Sequence, residues 1–322
     1  MRAVRYHDHG GPDVLTVDSI DPPEPGHGEL RIDVRAAGVN PVDTYFREGA
    51  YPVPGLPMIP GSDAAGVVGA VGPGVEGFAE GDRVFATGLG NGRQGTYAEE
   101  VVAPAEWCAR LPEAVTFGEG AAVALVGVTA WQAFVAHADI DPGERVLVHG
   151  GSGGVGHVAV QLAAAMGAAV TTTARPEYAD HLAGLGADSV VDYRQDHDDL
   201  AAAIRDAGAP DVVLDTFADR YLGLDAEVAA EGARIVLIGN EGPEASLPMG
   251  PGKSKELGVQ VMSMYNTPDI GAVLDRLATL MVRGELAPDI ARRYPLEDAG
   301  EAQRAVLEES FLGKLLVVPD DA

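Results

Sequence analysis

Cysteine is all but missing from this 322-residue chain, where Cys108 stands alone. A single thiol excludes an intrachain disulfide and any zinc site built from clustered cysteines. Lysine is almost as scarce, with Lys253, Lys255 and Lys314 the only three. No apolar run reaches the about 18 residues that read as a membrane-crossing helix, so no membrane span is expected. The opening residues, MRAVRYHDHG, hold no apolar signal core, and the expectation is a cytoplasmic protein. Internal repeats and low-complexity linkers are absent.

Acid dominates what remains. The chain has 49 Asp and Glu against 22 Lys and Arg, a net charge of −27. Spread over a folded surface of roughly 12,600 Å², that is about one net negative charge per 470 Å². Such a surface repels nucleic acid and itself in dilute buffer. Near 1 M salt the Debye length falls to about 3 Å and most of the penalty disappears. An acidic, lysine-poor, Ala- and Gly-rich chain therefore resembles a protein of a salt-accumulating, halophilic cytoplasm. Hydrophobic residues make up 46%, enough for globular cores, and the length suits two domains.

Up to about residue 118, short β-like runs (Leu30–Ala36, Ala65–Val71, Arg83–Ala86) alternate with Pro/Gly turns, which predicts a β-rich unit. Gly118 to His137 reads as an apolar helix. Strands and helices then alternate from Arg145 to about Met264, the pattern of a parallel sheet covered on both faces. Helices at Ile270–Val282 and Glu297–Glu308 and a strand at Lys314–Val318 close the chain. The predicted class is α/β, with a doubly wound Rossmann sheet beside a β-rich domain.

The sharpest local signal is Val146-Leu147-Val148-His149-Gly150-Gly151-Ser152-Gly153-Gly154-Val155-Gly156. A buried-strand run enters a glycine turn and a helix leaves it, the arrangement that places a pyrophosphate at a helix N-terminus. About 20 residues on, where an NAD site carries Asp or Glu, this chain reads Thr172-Thr173-Ala174-Arg175. Arg175 offers a bidentate partner for a 2′-phosphate, so the expected cofactor is NADP(H).

Several stretches together carry a resemblance: His9 to Leu15 (HGGPDVL), Ala37 to Tyr45 (AGVNPVDTY), Pro60 to Val67 (PGSDAAGV), Gly81-Asp82-Arg83-Val84, Gly127-Val128-Thr129-Ala130, the glycine turn with Gln161, Tyr294-Pro295-Leu296 and Gly313-Lys314. Taken in order, nearly end to end, the chain resembles the quinone oxidoreductase (ζ-crystallin-like) branch of the medium-chain dehydrogenase/reductase superfamily. Ala164 departs from the family's usual basic or Ser residue. The resemblance implies a GroES-like catalytic domain from residues 1–126 and 267–322 and a Rossmann NADP-binding domain from 127–266. It also implies a nicotinamide cleft between them and a homodimer joined through the last Rossmann strand, Val259–Met264.

Zinc enzymes of the superfamily hold their catalytic ion on Cys, His and Cys. The matching positions here are Asn40, Ser62 and Leu125, so no metal is expected. Without a Lewis acid the suited acceptor is a quinone or α,β-unsaturated carbonyl, in which charge delocalises as hydride arrives. Asn40 and Tyr45 are the catalytic candidates, and Tyr51 and Ser62 the substrate-binding ones. Asp43 is read as orienting Asn40 or capping a turn. The resemblance assigns the cofactor to Thr129, the turn from Gly150 to Gly156, Thr173, Tyr193, Gly239 and Asn240. The resemblance also implies a lysine near the cofactor at Lys255, which stands out in so lysine-poor a chain, and His149 is expected to be a satisfied buried histidine. The leading expectation is an NADPH-dependent quinone reductase. An enone or enoyl-thioester reductase is the rival, and a non-catalytic NADP- or nucleic-acid-binding protein a distant third.

Overall fold

The structure, a computed structural model, describes residues 1–319. In chain order the first elements are β1 (Arg2–Tyr6), β2 (Leu15–Ser19), β3 (Glu29–Gly38), α1 (Pro41–Glu48), β4 (Ala64–Val71), β5 (Arg83–Ala86), β6 (Glu100–Pro104) and β7 (Cys108–Arg110). Then come α2 (Phe117–Trp131), β8 (Arg145–Val148), α3 (Gly154–Ala165), β9 (Ala169–Ala174), α4 (Ala179–Gly184), β10 (Ser189–Asp192), α5 (His197–Ala207), β11 (Val212–Asp215), α6 (Ala218–Val228) and β12 (Arg234–Leu237). The chain closes with α7 (Met249–Ser254), β13 (Gly258–Val261), α8 (Ile270–Val282), β14 (Ile290–Pro295), α9 (Ala299–Glu308) and β15 (Lys314–Val318).

Two compact units result: Met1–Val128 with the C-terminal segment from Pro268, and Thr129–Thr267. In the first, a sheet runs β14-β15-β3-β4-β5-β7, with β6 also paired to β3. β3 alternates as a sheet strand should, burying Leu30, Ile32, Val34 and Ala36. The sequence reading gave no helix at 41–48. Pro41 sits at the first helical position, where its missing N–H costs nothing, and Gly49 ends the helix at φ 80°. Late in the chain, β15 lies antiparallel to β3 with Leu316 opposite Gly38, which brings Lys314 beside the start of α1.

The second unit is a six-stranded sheet in the order β10-β9-β8-β11-β12-β13, every pair parallel. Val146, Leu147 and Val148 of β8 are all buried, as a central strand covered on both faces requires. The chain winds outward from β8 through β9 to β10, then crosses to β11. The order reverses at β8, and the crevice beyond the strand ends there is where such sheets take ligands. At the far side, among the described residues, β13 pairs with β12 alone and exposes Val259 and Val261.

One expectation is corrected. Phe117–Ala138, α2 with its π-helical continuation, has the length and composition of a membrane-crossing helix, but most of its apolar window lies inside the fold. The protein's own core covers this segment.

Candidate functional site

At the end of β8, Gly150 adopts φ 73°, a conformation open to glycine. Its N–H donates to Thr173 Oγ1 (3.0 Å), and the Gly151 N–H donates to the Thr173 carbonyl (2.8 Å). Gly153 holds the N-cap position of α3 and, having no side chain, leaves it uncapped, and the His157 N–H makes an early helical bond to the Gly153 carbonyl (3.1 Å). The N–H groups of Gly154, Val155 and Gly156 precede that bond, at the positive end of the helix dipole. A Cβ on Gly156 would run into the Gly150 carbonyl, so only glycine lets the helix start this close to the turn. Ser152, Gly153, Gly154 and Val155 are partly exposed along the turn. Backbone donors at an uncapped helix start, with no side chain in the way, suit the pyrophosphate of a dinucleotide.

Beyond β9, Arg175 Nε donates to the Tyr193 hydroxyl (3.2 Å), and an Arg175 nitrogen stands 3.7 Å from Glu177. Arg194 grips Asp192 with two bonds of 2.9 Å, which neutralises the nearest β10 carboxylate. Thus Arg175 and Tyr193, both expected at the cofactor, are hydrogen-bonded to each other. Gly239 lies just past β12, where its carbonyl accepts from the Ala218 N–H (2.9 Å), and Asn240 is exposed and bonded to the Gly242 carbonyl (2.8 Å). Thr129 is buried in α2.

Two cofactor expectations are corrected here. Thr173 is buried with its hydroxyl turned inward between Gly150 and His149, so it shapes the turn and does not line its surface. Lys255 donates to the Glu227 and Ala229 carbonyls (2.6 and 2.8 Å), capping the C-terminus of α6. Because the Ala230 N–H bonds the Pro210 carbonyl, ahead of β11, this end of α6 lies opposite the glycine turn.

In the first unit a polar cluster occupies the interior. The Asp43 carboxylate accepts from the Asn40 N–H (2.9 Å), the Ser62 hydroxyl (2.8 Å) and the Tyr97 hydroxyl (3.1 Å). Asp63 accepts from the Asn40 side-chain amide (2.8 Å) and the Leu125 N–H (2.8 Å). Lys314 Nζ donates to the Val39 carbonyl (2.8 Å) and to Asn40 Oδ1 (2.6 Å), and stands 4.0 Å from Asp63. A Cβ on Gly38 would come within 2.5 Å of Asp63 Oδ2, so glycine admits the carboxylate. Burial pushes Asp43 up to about 7, with neighbouring Asp63 adding to it. Asp63 is raised by burial against the pull of Lys314, and burial lowers Lys314 against the pull of both acids.

This cluster alters the reading of Asn40 and Ser62. Asn40 is 1% exposed with its amide oxygen and nitrogen both engaged, and Ser62 is fully buried on Asp43. Neither side chain is exposed on a surface of its unit, and both are held by these internal bonds. Tyr45 differs: it is half-buried on α1, edge-on to the exposed Tyr51 ring at 5.8 Å, while Phe46 meets the same ring at 5.6 Å. At the three positions that match zinc ligands, the polar atoms are therefore an engaged amide, an engaged hydroxyl and a backbone N–H. That donor set does not fit zinc.

Residues 26–113 match the model of the alcohol dehydrogenase GroES-like domain and residues 154–279 that of zinc-binding dehydrogenases. Human quinone oxidoreductase is 35% identical over 99% of this chain and 98% of its own length. The chain belongs to the quinone oxidoreductase family of medium-chain dehydrogenases/reductases. Among solved structures, Escherichia coli quinone oxidoreductase complexed with NADPH is 30% identical with a TM-score of 0.90, covering 99% of this chain and all of its own. An NAD-dependent alcohol dehydrogenase is 34% identical with a TM-score of 0.91 and the same coverage. Relatives named for either cofactor thus share the fold, and the residues around β9 must decide between them.

Sequence reasoning missed Lys314 and Asp63 as partners of Asn40, Tyr97 as a partner of Asp43, and Asp225, with Asp215 behind it, as the partner of His149. A lysine inside a closing apolar strand, in a chain with three, was the one available signal.

Proposed function

We propose that this family member is a zinc-independent, NADPH-dependent reductase of quinones or similar conjugated carbonyls. The observation that carries the reading is the Arg175–Tyr193 pair at the end of β9, where an NAD site would hold an acid. NADPH, when bound, supplies hydride from its nicotinamide. The N–H groups of Gly154, Val155 and Gly156 bind the pyrophosphate, and Arg175 with Tyr193 takes the 2′-phosphate. Asn40, held by Lys314 and Asp63, fixes the start of α1 and with it Tyr45. The Tyr45 hydroxyl donates to the acceptor oxygen, and the Tyr51 ring packs on the acceptor's flat face. An acceptor that spreads its own charge suits a site whose zinc positions are taken by internal hydrogen bonds. The exposed edge of β13 supports a homodimer by strand pairing.

The test is NADPH and NADH oxidation with a panel of quinones and enones in high salt, with and without EDTA. Quinone turnover that prefers NADPH and ignores EDTA is expected. Loss of activity on chelation, or preference for NADH, would overturn the reading. Turnover of enones alone would move the substrate to the enone reductases.

A further inference from the structure

Behind the glycine turn lies a buried line of polar side chains that cofactor contact leaves unexplained. The Gly150 N–H donates to Thr173 Oγ1 (3.0 Å), and the same oxygen sits 3.2 Å from His149 Nδ1. His149 Nε2 is 2.8 Å from Asp225 Oδ1, and the ring stacks on Tyr221 with centroids 4.3 Å apart. Asp225 and Asp215 lie within hydrogen-bond reach of each other, and Asp215 accepts from the Phe217 N–H (2.7 Å). His149, Thr173, Asp215 and Asp225 are all buried.

The proton positions follow from satisfying every atom. Among the described residues, Oδ2 of Asp215 and Oδ2 of Asp225 have no N–H or O–H donor. Only a proton carried by one acid and shared with the other removes that deficit. Asp225 Oδ1 is then free to accept from His149 Nε2–H, which leaves Nδ1 as the acceptor for the Thr173 hydroxyl. The hydroxyl oxygen, its proton so directed, accepts from Gly150. One assignment satisfies the whole line, and it runs unbroken from an acid pair to the first N–H of the turn.

We propose that Asp225, acting through His149 and Thr173, is a positioning residue that holds the glycine turn in its cofactor-receiving shape. The inference rests on the NADPH reading above. The line joins α6, β8, β9 and β11, the elements that meet where the sheet order reverses. Its other anchors are the Thr216 hydroxyl on the His149 carbonyl (3.1 Å) and the His149 N–H on the Leu214 carbonyl (3.0 Å). The groups facing it are Asp215 from β11, Tyr221 from α6 and Thr173 from β9, with Arg220 and Tyr193 beyond Tyr221. Burial pushes Asp225 up to about 8, and burial together with Asp225 lifts Asp215 to about 7. Burial lowers His149 to about 4, against Asp215. The shared proton is therefore kept at neutrality and lost in mild alkali, when two anions face each other and the line breaks.

Three variants test this. Asp225→Asn replaces the shared proton with an amide N–H that does not titrate. Asp225→Ala breaks the line, and Thr173→Val breaks it at nearly constant volume should the alanine variant fail to fold. NADPH affinity is measured by fluorescence titration from about pH 7 to about 9.5, above the 2′-phosphate's own titration near 6. Amide exchange of the cofactor-free turn is followed in parallel. Thr173→Val and Asp225→Ala should bind NADPH about fivefold more weakly at neutral pH, the value of one hydrogen bond, with kcat at saturation unchanged. Their Gly150 and Gly151 amides should exchange faster. Wild type should lose affinity through the alkaline range while Asp225→Asn stays level. Equal affinity and equal exchange in Thr173→Val, or an alkaline loss in Asp225→Asn that matches wild type, overturns the inference. If wild type binds no NADPH, the cofactor reading fails separately, and the exchange data still judge the network.

Discussion

Replacing Lys314 with methionine removes the cation from the interior of the catalytic unit at almost constant length. Lys314 is 3% exposed, and its ammonium satisfies the Val39 carbonyl and Asn40 Oδ1 while facing Asp63. Deleting one partner of a buried charge pair costs about 3–5 kcal/mol, because the remaining charge is left uncompensated. For a unit of this size that lowers the melting temperature by roughly 10 °C. The loss should depend on pH, with a definite sign. Asp63 is already held above its ordinary value by burial, and Lys314 opposes that shift. Without the lysine its folded value rises further. A raised acid contributes its full stability below its unfolded value near 4 and loses it as pH rises through the folded value. The gap between wild type and Lys314→Met should thus be smaller at about pH 5 than at about pH 8. Adding Asp63→Asn removes the stranded charge and should restore about half of the loss, a coupling that a double-mutant cycle measures. Calorimetry in high salt reads all four proteins at both pH values. A Lys314→Met protein that melts with wild type, parallel pH profiles, or no rescue by Asp63→Asn would refute the argument.

Arg175→Ala should raise KM for NADPH about tenfold or more while leaving KM for NADH and kcat nearly unchanged, as steady-state kinetics with both cofactors would show. Lys255→Met, by contrast, should leave both KM values alone and cost only about 1 kcal/mol in denaturant unfolding, since its ammonium caps α6 far from the turn. A net charge of −27 should make the protein melt at markedly lower temperature in about 0.01 M salt than in 1 M, where the Debye length falls from about 30 to about 3 Å. A melting temperature independent of salt would remove the halophilic reading.

How much of this was legible in the residues depends on sequence distance. The parallel sheet and glycine turn were readable because a central strand must be apolar throughout, as Val146 to Val148 are, and because Gly150 needs a positive φ. The helix at α1 was not, since Pro41 there reads equally as a turn. The interior networks were invisible for a simpler reason. Lys314 meets Asn40 across 274 residues and His149 meets Asp225 across 76, and no periodicity records such pairs. Resemblance and rarity misled together: both pointed to Lys255, whereas Lys314 is the lysine in the buried polar cluster.

That rarity has a structural explanation, and it can be tested. The chain meets its need for surface cations with arginine, as in the pairs Arg2–Glu99, Arg234–Glu144 and Arg292–Glu309. Two of the three lysines instead turn inward onto converging oxygens, Lys314 on Val39 and Asn40, Lys255 on Glu227 and Ala229. A compact ammonium with three donors can reach two acceptors at a single point, whereas the flat guanidinium fork is both larger and fixed in direction. Lys314→Arg keeps the charge yet should destabilise the catalytic unit by about 1–3 kcal/mol through overpacking around Asp63. Unlike Lys314→Met, its loss should change little between about pH 5 and pH 8, because the cation is still present. If arginine is accepted at no cost, the geometry of the ammonium is not what retains lysine there; if its loss grows with pH as the methionine variant's does, the guanidinium has failed to reach the acids.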